Sequence, residues 1–235
     1  MLNASKHKES SYSVRVDIKD FFPSIHKTDL FKAINNQSSH LPPFACKFEA
    51  MSLIGDICFD DSCRLPIGYS TSPMIANAVM FGLDTQLAEL IKNDQAFGQS
   101  KITRYADDFI FSTDKKGACR AFVSEFETLL SKTTSPKLRI NHDKTRFMSR
   151  GGGSTLITGL RVNNSGGVVV HPEYRDHVRL LLKLYKERRL SQDENQKLIG
   201  HLAYIQNVDP GFFTRLSFKF DLEIQRIRQP GKSGL

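Results

Sequence analysis

Ile102-Thr103-Arg104-Tyr105-Ala106-Asp107-Asp108-Phe109-Ile110-Phe111 sets two adjacent carboxylates between two short apolar runs. Ile102, Phe109, Ile110 and Phe111 are β-branched or aromatic, as half-buried strands favour, whereas Asp is depleted from strand interiors and enriched in turns. The stretch therefore predicts a β-hairpin with Asp107 and Asp108 at its tip. Adjacent like charges raise each other's pKa, so the pair is costly unless a cation or a basic neighbour compensates it. Magnesium suits such a pair, being hard, oxygen-loving and usually shared with substrate phosphates. A solvated hairpin tip carries the same residues, and the surrounding chain decides between the two readings.

Upstream, Ser13 to Ile18 alternates with Val14, Val16 and Ile18 on one face, and Asp17 stands near the end of that predicted strand. Thr28 to Ile34 reads as a short capped helix, and Lys47 to Phe59 as an apolar-periodic stretch broken by Asp60-Asp61-Ser62. The glycine-bearing loop Leu65 to Thr71 precedes a long helix. Pro73 suits its first turn, and Ala76, Val79, Met80, Leu83 and Leu87 recur at helical spacing.

Downstream, Ala118 to Leu130 predicts an amphipathic helix with Phe122, Phe126, Leu129 and Leu130 inward, and Leu138 to Asn141 an edge strand. Gly151-Gly152-Gly153 is a break. Leu156 to Val162 begins a further hairpin that turns at Asn163 to Gly167. Glu173 to Leu190 predicts a helix with an apolar stripe, Tyr174, Val178, Leu181, Leu182 and Tyr185, and a basic one, Arg175, Arg179, Lys183 and Lys186. A last helix spans Gln192 to Gln206, and the tail from Gln229 to Gly234 is predicted to fray.

The chain has 235 residues, 40% of them hydrophobic, which is enough for one large domain or two small ones with real cores. No apolar run approaches the roughly 20 residues of a membrane span, and the N-terminus is polar, so the expected place is the cytoplasm, away from any membrane. Cys46, Cys58, Cys63 and Cys119 form no Cys-x-x-Cys motif and are read as reduced thiols. The net charge is +8, and residues 137–190 hold 12 Lys or Arg against 4 Asp or Glu, so that segment carries the whole excess. A basic block beside an acidic pair suits a polyanionic substrate, although a generically basic surface has the same composition.

Asp17 and the Asp107-Asp108 pair are 90 positions apart, yet a folded sheet can bring them together to share metal ions. Carboxylates from different elements are what a two-metal site needs, one ion activating a hydroxyl and the other stabilising a leaving pyrophosphate. Val16-Asp17-Ile18-Lys19-Asp20-Phe21-Phe22-Pro23-Ser24-Ile25, Leu65-Pro66-Ile67-Gly68-Tyr69-Ser70-Thr71-Ser72-Pro73 and Tyr105-Ala106-Asp107-Asp108 resemble, in order and spacing, the successive palm motifs of reverse transcriptases. Leu138-Arg139-Ile140-Asn141-His142-Asp143-Lys144-Thr145 resembles the next palm motif. Asn3-Ala4-Ser5-Lys6-His7 and Ile157-Thr158-Gly159 are similar to the Asn-Ala-x-x-His and Val-Thr-Gly motifs of the bacterial retron branch. Group II intron and abortive-infection reverse transcriptases share the palm motifs.

The resemblance implies an α+β fold: a right-hand polymerase palm, an antiparallel sheet backed by helices, over residues 1–155, then a small helical thumb that binds RNA over residues 156–235. It implies an RNA-directed DNA polymerase that uses two Mg2+ ions, with Asp17, Asp107 and Asp108 as catalytic metal ligands and Asp108 the outermost or most transient of the three. Its partners are a structured RNA template and primer, the RNA–DNA hybrid, a deoxynucleoside triphosphate and a retron effector protein, within antiphage defence.

Phe22 is either an aromatic gate against a ribose 2′-hydroxyl or plain core; Gly68 lets backbone approach template or nucleotide; Lys144 meets the triphosphate or is merely solvated. Tyr105 lies by the primer end or is buried. Asn3 and His7 contact RNA or are loose, while Arg175, Arg179 and Lys183 contact phosphates or form an ordinary exposed face. Ile67, where many members carry Gln, and Ile157, where Val is usual, are departures. The sequence begins almost at the first palm acid, which predicts a chain without the fingers; a non-catalytic RNA-binding remnant is then the competing expectation.

Overall fold

The computed structural model describes residues 2–93, 95–152, 155–163 and 166–228; Gly153, part of the predicted 163–167 turn and the tail from Gln229 lie outside the described residues. The chain forms two compact units. Helix α1 (Leu2–Lys6) groups with the described residues from Thr155 onward, and the other unit spans Glu9–Gly152. The expected first domain spans residues 1–155, whereas α1 groups with the later unit, where it lies against the Leu160–Val162 strand.

The Glu9–Gly152 unit contains β1 (Tyr12–Ile18), α2 (Lys27–Asn36), α3 (Phe48–Cys58), α4 (Ser72–Asn93), β2 (Ser100–Tyr105), β3 (Asp108–Thr113), α5 (Ala118–Lys132) and β4 (Ile140–Ser149). Its antiparallel sheet has the order β2-β3-β1-β4. The period of two decides the layers. Val14 and Val16 sit opposite Phe111 and Phe109, and this buried face meets α5, where the Phe111 and Phe122 rings stack at 4.2 Å and Phe109 lies 4.9 Å from Phe126. Ser13, Arg15 and Asp17 consequently line the opposite face. The stripe predicted on α4 is buried from Ala76 to Leu87. Phe122 is fully buried among rings, so Phe122→Ala is expected to cost about 3–5 kcal/mol through lost transfer energy and a cavity, read as a lower denaturation midpoint with unchanged slope.

Strand β4 is longer than predicted, and its pairing with β1 is irregular. Arg15 faces Arg146 and Asp17 faces Asn141, so residues 142–145 bulge from the ladder between those two pairs. Thr145 Oγ1 closes the bulge onto the Asn141 carbonyl at 2.9 Å.

The other unit contains α1, the antiparallel strands β5 (Thr155–Ile157), β6 (Leu160–Val162) and β7 (Val168–Val170), and helices α6 (Pro172–Lys186), α7 (Gln192–Val208), α8 (Pro210–Lys219) and α9 (Asp221–Arg228). The single strand expected over 156–162 is two strands, because Thr158 and Gly159 both have positive φ, 45° and 79°, as a two-residue hairpin turn requires. Helix α6 stops at Lys186, and left-handed Arg188 follows. Helices α8 and α9 were not anticipated. Asp209 caps α8 by accepting the Phe212 N–H at 3.1 Å, and Pro210 occupies the first turn. The expected α+β class holds, and among the described residues no helix is long and apolar enough to cross a membrane.

Candidate active site

Asp17 and Asp108 are directly opposite each other on β1 and β3, and Asp107 lies in the two-residue turn between β2 and β3. That turn is fixed at three points. Ile18 donates its N–H to the Asp107 carbonyl at 3.1 Å, which ties the turn to the end of β1. Ala106 takes φ 52°, a left-handed conformation seldom adopted by residues with a Cβ. Arg104, only 9% exposed in its side chain, forks onto Asp84 of α4 at 2.7–3.1 Å and donates to the Ala106 carbonyl at 3.3 Å.

The carboxylates have different surroundings. Asp17 is buried, and its ion pair is with Lys144 Nζ at 3.7 Å, longer than a hydrogen bond. Lys144 reaches it from the β4 bulge and stays 67% exposed in its side chain. Asp108 is held by both arms of Arg15, Nε to Oδ1 at 2.8 Å and the terminal nitrogen to Oδ2 at 2.6 Å. Burial first, and then the charges of Asp108 and Asp17, push the Asp107 carboxyl above the usual carboxylate range, against a backbone hydrogen bond and the charge of Lys144. Three acids from separate positions in the chain thus share one electrostatic site, balanced by Arg15 and Lys144.

Among the described residues no three His, Cys, Asp or Glu side chains converge as a metal-binding group. Of the three expected ligands, Asp108 has both oxygens engaged by the Arg15 fork. Asp17 and Asp107 still fit a divalent cation. One is a buried carboxylate with a loose counter-ion, the other a carboxyl whose pKa is raised by burial and like charges, and a cation relieves both.

Phe22 is half-buried, edge-on to Phe21 at 5.2 Å, and packs on the core. Gly68 has φ 92° with open space where a Cβ would stand, in a loop closed by Ser72 Oγ donating to the Pro66 carbonyl at 2.6 Å. Tyr105 is 70% exposed, which excludes the buried alternative.

In the other unit, Asn3 is half-buried and His7 is buried. Arg175 forks onto buried Asp209 at 2.6 and 3.2 Å and lies over the Phe212 ring, joining α6 to the start of α8. Arg179 is exposed but also stands over Phe212 and pairs with Asp176, while Lys183 is exposed. Arg15, Arg104 and Asp84 escaped the sequence reading. Arg15 had a signal, since it precedes Asp17 by two on a strand and shares its face.

Comparison with known proteins adds a family pattern. The model of a family described as reverse transcriptase (RNA-dependent DNA polymerase) matches residues 2–201. The chain is 37% identical over 230 residues to the Retron Ec73 reverse transcriptase of Escherichia coli, covering 96% of this chain and 72% of that protein. It is 25% identical over 240 residues to the Retron Ec83 reverse transcriptase of the same organism, covering 99% and 74%. Among solved structures it resembles apo telomerase from Candida tropicalis truncated from its C-terminal domain, with TM-score 0.53, 14% identity and coverage of 68% of this chain and 35% of that one. Telomerase from Candida albicans, solved with a fragment of telomeric RNA, gives TM-score 0.52, 11% identity and coverage of 95% and 46%. The chain spans less than half of either telomerase, and at these identities the likeness is one of fold.

Proposed function

Because the chain belongs to the reverse transcriptase family and is of the bacterial retron type, we propose that Asp17 and Asp107 form the reacting centre of its RNA-directed DNA polymerase activity. The substrates are a primer hydroxyl paired to a structured RNA template and a deoxynucleoside triphosphate. The supporting observation is that Asp107 feels the charges of Asp17, Asp108 and Lys144 together, at a turn braced on both sides.

Asp17 and Asp107 would hold the magnesium ions, which would supply Lewis-acid charge for activating the attacking hydroxyl and offsetting the negative charge of the phosphates. The chain's own residues do the rest. Asp17 and Asp107 present oxygen ligands from a strand and a turn that the sheet holds rigid, and rigid placement is where much of the rate of phosphoryl transfer arises. Arg15 holds the Asp108 carboxylate in place through both of its oxygens. Lys144, loosely paired and mostly exposed, is free to turn from Asp17 to an incoming phosphate. Exposed Tyr105 offers a ring beside the turn for the primer end, and Phe22 stands five positions after Asp17 as the sugar gate.

Primer extension by the purified chain with its cognate RNA, with and without magnesium, tests this reading. Asp17→Asn is expected to reduce extension on the order of 10³-fold or more, since several kcal/mol of transition-state stabilisation depend on the ligand set. Extension that persists in this variant, or that needs no metal, would rule out the assignment.

A further inference from the structure

Of the eleven large apolar side chains exposed among the described residues of the Glu9–Gly152 unit, five lie within residues 44–57, on and just before α3. Helix α3 has two apolar faces. Met51, Gly55 and Cys58 are buried and turn inward at i, i+4 and i+7. Ala50, Leu53, Ile54 and Ile57 fall at i, i+3, i+4 and i+7 of a second stripe, in which Leu53, Ile54 and Ile57 are 60%, 37% and 64% exposed. A stripe of that width is what a surface helix normally turns to a core, and here it faces solvent.

The helix is held from its inner side and at both ends. Lys47 is extended, and Met51 donates its N–H back to the Lys47 carbonyl at 3.1 Å. Phe59, also extended, is buried in the main core, and Asp60 closes the exit by accepting the Ser62 and Arg64 N–H groups at 2.9 and 2.8 Å. Lys27 of α2 crosses Gly55, where a Cβ would stand 2.1 Å from its chain, and pairs with Asp56 at 2.6 Å. A face ordered in advance in this way loses little freedom on docking.

The charges beside the stripe select its partner. Residues 47–61 hold Glu49, Asp56, Asp60 and Asp61 against Lys47, an excess of three acids in a chain of net charge +8. Glu49 and Asp56, seven apart, flank the stripe on the Leu53 side, and Asp60 and Asp61 stand past its end. Asp56 has Lys27, whereas Glu49 and Asp61 have no side-chain partner among the described residues. The phosphates of RNA or of an anionic bilayer are repelled by such a rim. A second copy is disfavoured too, since an antiparallel two-fold pairing of α3 sets the Glu49 and Asp56 flank against itself.

We propose that the outer face of α3 docks an amphipathic helix of another protein, whose apolar stripe packs on Leu53, Ile54 and Ile57 and whose basic flank meets Glu49 and Asp61. Recognition of one helix through anchors at i, i+3, i+4 and i+7 is a recurring mode. Two short helices bury little area, so the expected affinity is micromolar. The surface shares no residue with the carboxylate turn and does not depend on the polymerase reading.

Anisotropy titration of labelled helical peptides into the full chain, at roughly physiological ionic strength, tests it. The probe is a Leu/Lys heptad peptide, and its controls are a Leu/Glu peptide of the same pattern and a Ser/Lys peptide without the stripe. The Leu/Lys peptide is expected to bind saturably, about tenfold or more tighter than either control. Its binding should weaken about tenfold or more in Leu53→Ser/Ile57→Ser, which removes two anchors. Glu49→Lys/Asp61→Lys should weaken it severalfold and strengthen the Leu/Glu peptide, a reversal that loss of folding cannot produce. All four substituted positions are exposed, and thermal melts check that both variants stay folded. Asp17→Asn and Asp107→Asn should bind as the parent chain does, which separates failure of this surface from failure of the proposed reaction. The proposal is overturned by absence of saturable binding, by equal binding of the three peptides, or by binding unchanged in Leu53→Ser/Ile57→Ser. A concentration-dependent dimer in sedimentation that the same two substitutions abolish would also overturn it, since the face would then belong to a second copy.

Discussion

Asp107→Asn is expected to lower templated extension on the order of 10³-fold or more while raising the thermal midpoint of the protein in chelator. The loss follows from removing one of the two carboxylates that fit a cation. The gain follows from the other side of the same arrangement, because burial and the charges of Asp108 and Asp17 hold the Asp107 carboxyl above its ordinary range. A carboxyl with a raised folded pKa binds its proton more tightly in the folded state, so its ionisation destabilises the fold as pH rises through that folded pKa. The advantage of Asn is therefore full above that folded pKa and vanishes below the unfolded carboxylate pKa, about 3.9. Melting curves of both proteins across this range check the sign. A midpoint that falls in the variant, or a difference independent of pH, would mean that the turn does not store like-charge repulsion.

Such a trade-off is consistent with a site that carries strain for function. The left-handed Ala106 is a second cost at the same turn, and the Arg104 bond to its carbonyl is what holds it. Asp108 is the contrasting case. Its fork with Arg15 makes it the best compensated of the three acids and the least available to a cation, although its neighbour in sequence is the most perturbed.

How much of this was legible before the fold is best judged residue by residue. Val14, Val16 and Ile18 announced β1 because period two leaves few alternatives, and the Asp107-Asp108 turn was visible since Asp is expelled from strands. The long helix α4 and its buried stripe followed from Pro73 and the spacing to Leu87. The partners were not legible. Arg104 meets Asp84 only because β2 lies beside α4, and five cations, Lys19, Lys32, Arg64, Lys137 and Arg139, meet at one cavity only because the end of β1, α2, the loop after α3 and the segment before β4 converge there.

Charge on a helical wheel misled in the other direction. Arg175 lies on the basic stripe of α6, yet the chain turns Asp209 and Phe212 towards it, and sequence spacing holds no information about that return. Helices α8 and α9 were missed although Asp209-Pro210 is a capped start, since a Pro-Gly pair reads equally well as a stop.

The Arg104–Asp84 pair yields a stability prediction as large as that at Phe122, and an asymmetric one. Removing one partner of a buried pair leaves the other charge uncompensated, so the cost depends on how well the survivor can hydrate. Arg104 is 9% exposed in its side chain and Asp84 36%. Asp84→Ala strands a guanidinium inside the protein and is expected to cost about 3–5 kcal/mol, a large part of the about 5–15 kcal/mol that holds a domain together.

Arg104→Met leaves a carboxylate that water can reach, and its methylene stem is largely replaced, so the expected cost is nearer about 1–2 kcal/mol. The double variant should be more stable than Asp84→Ala alone, because the stranded charge is gone. Denaturant midpoints of the four proteins give this cycle directly; equal single costs, or strictly additive ones, would show that the pair is not a buried clamp. Extension activity distinguishes its second role. Met at position 104 cannot donate to the Ala106 carbonyl, so extension should fall in Arg104→Met, and in the double variant, even at temperatures where both remain folded.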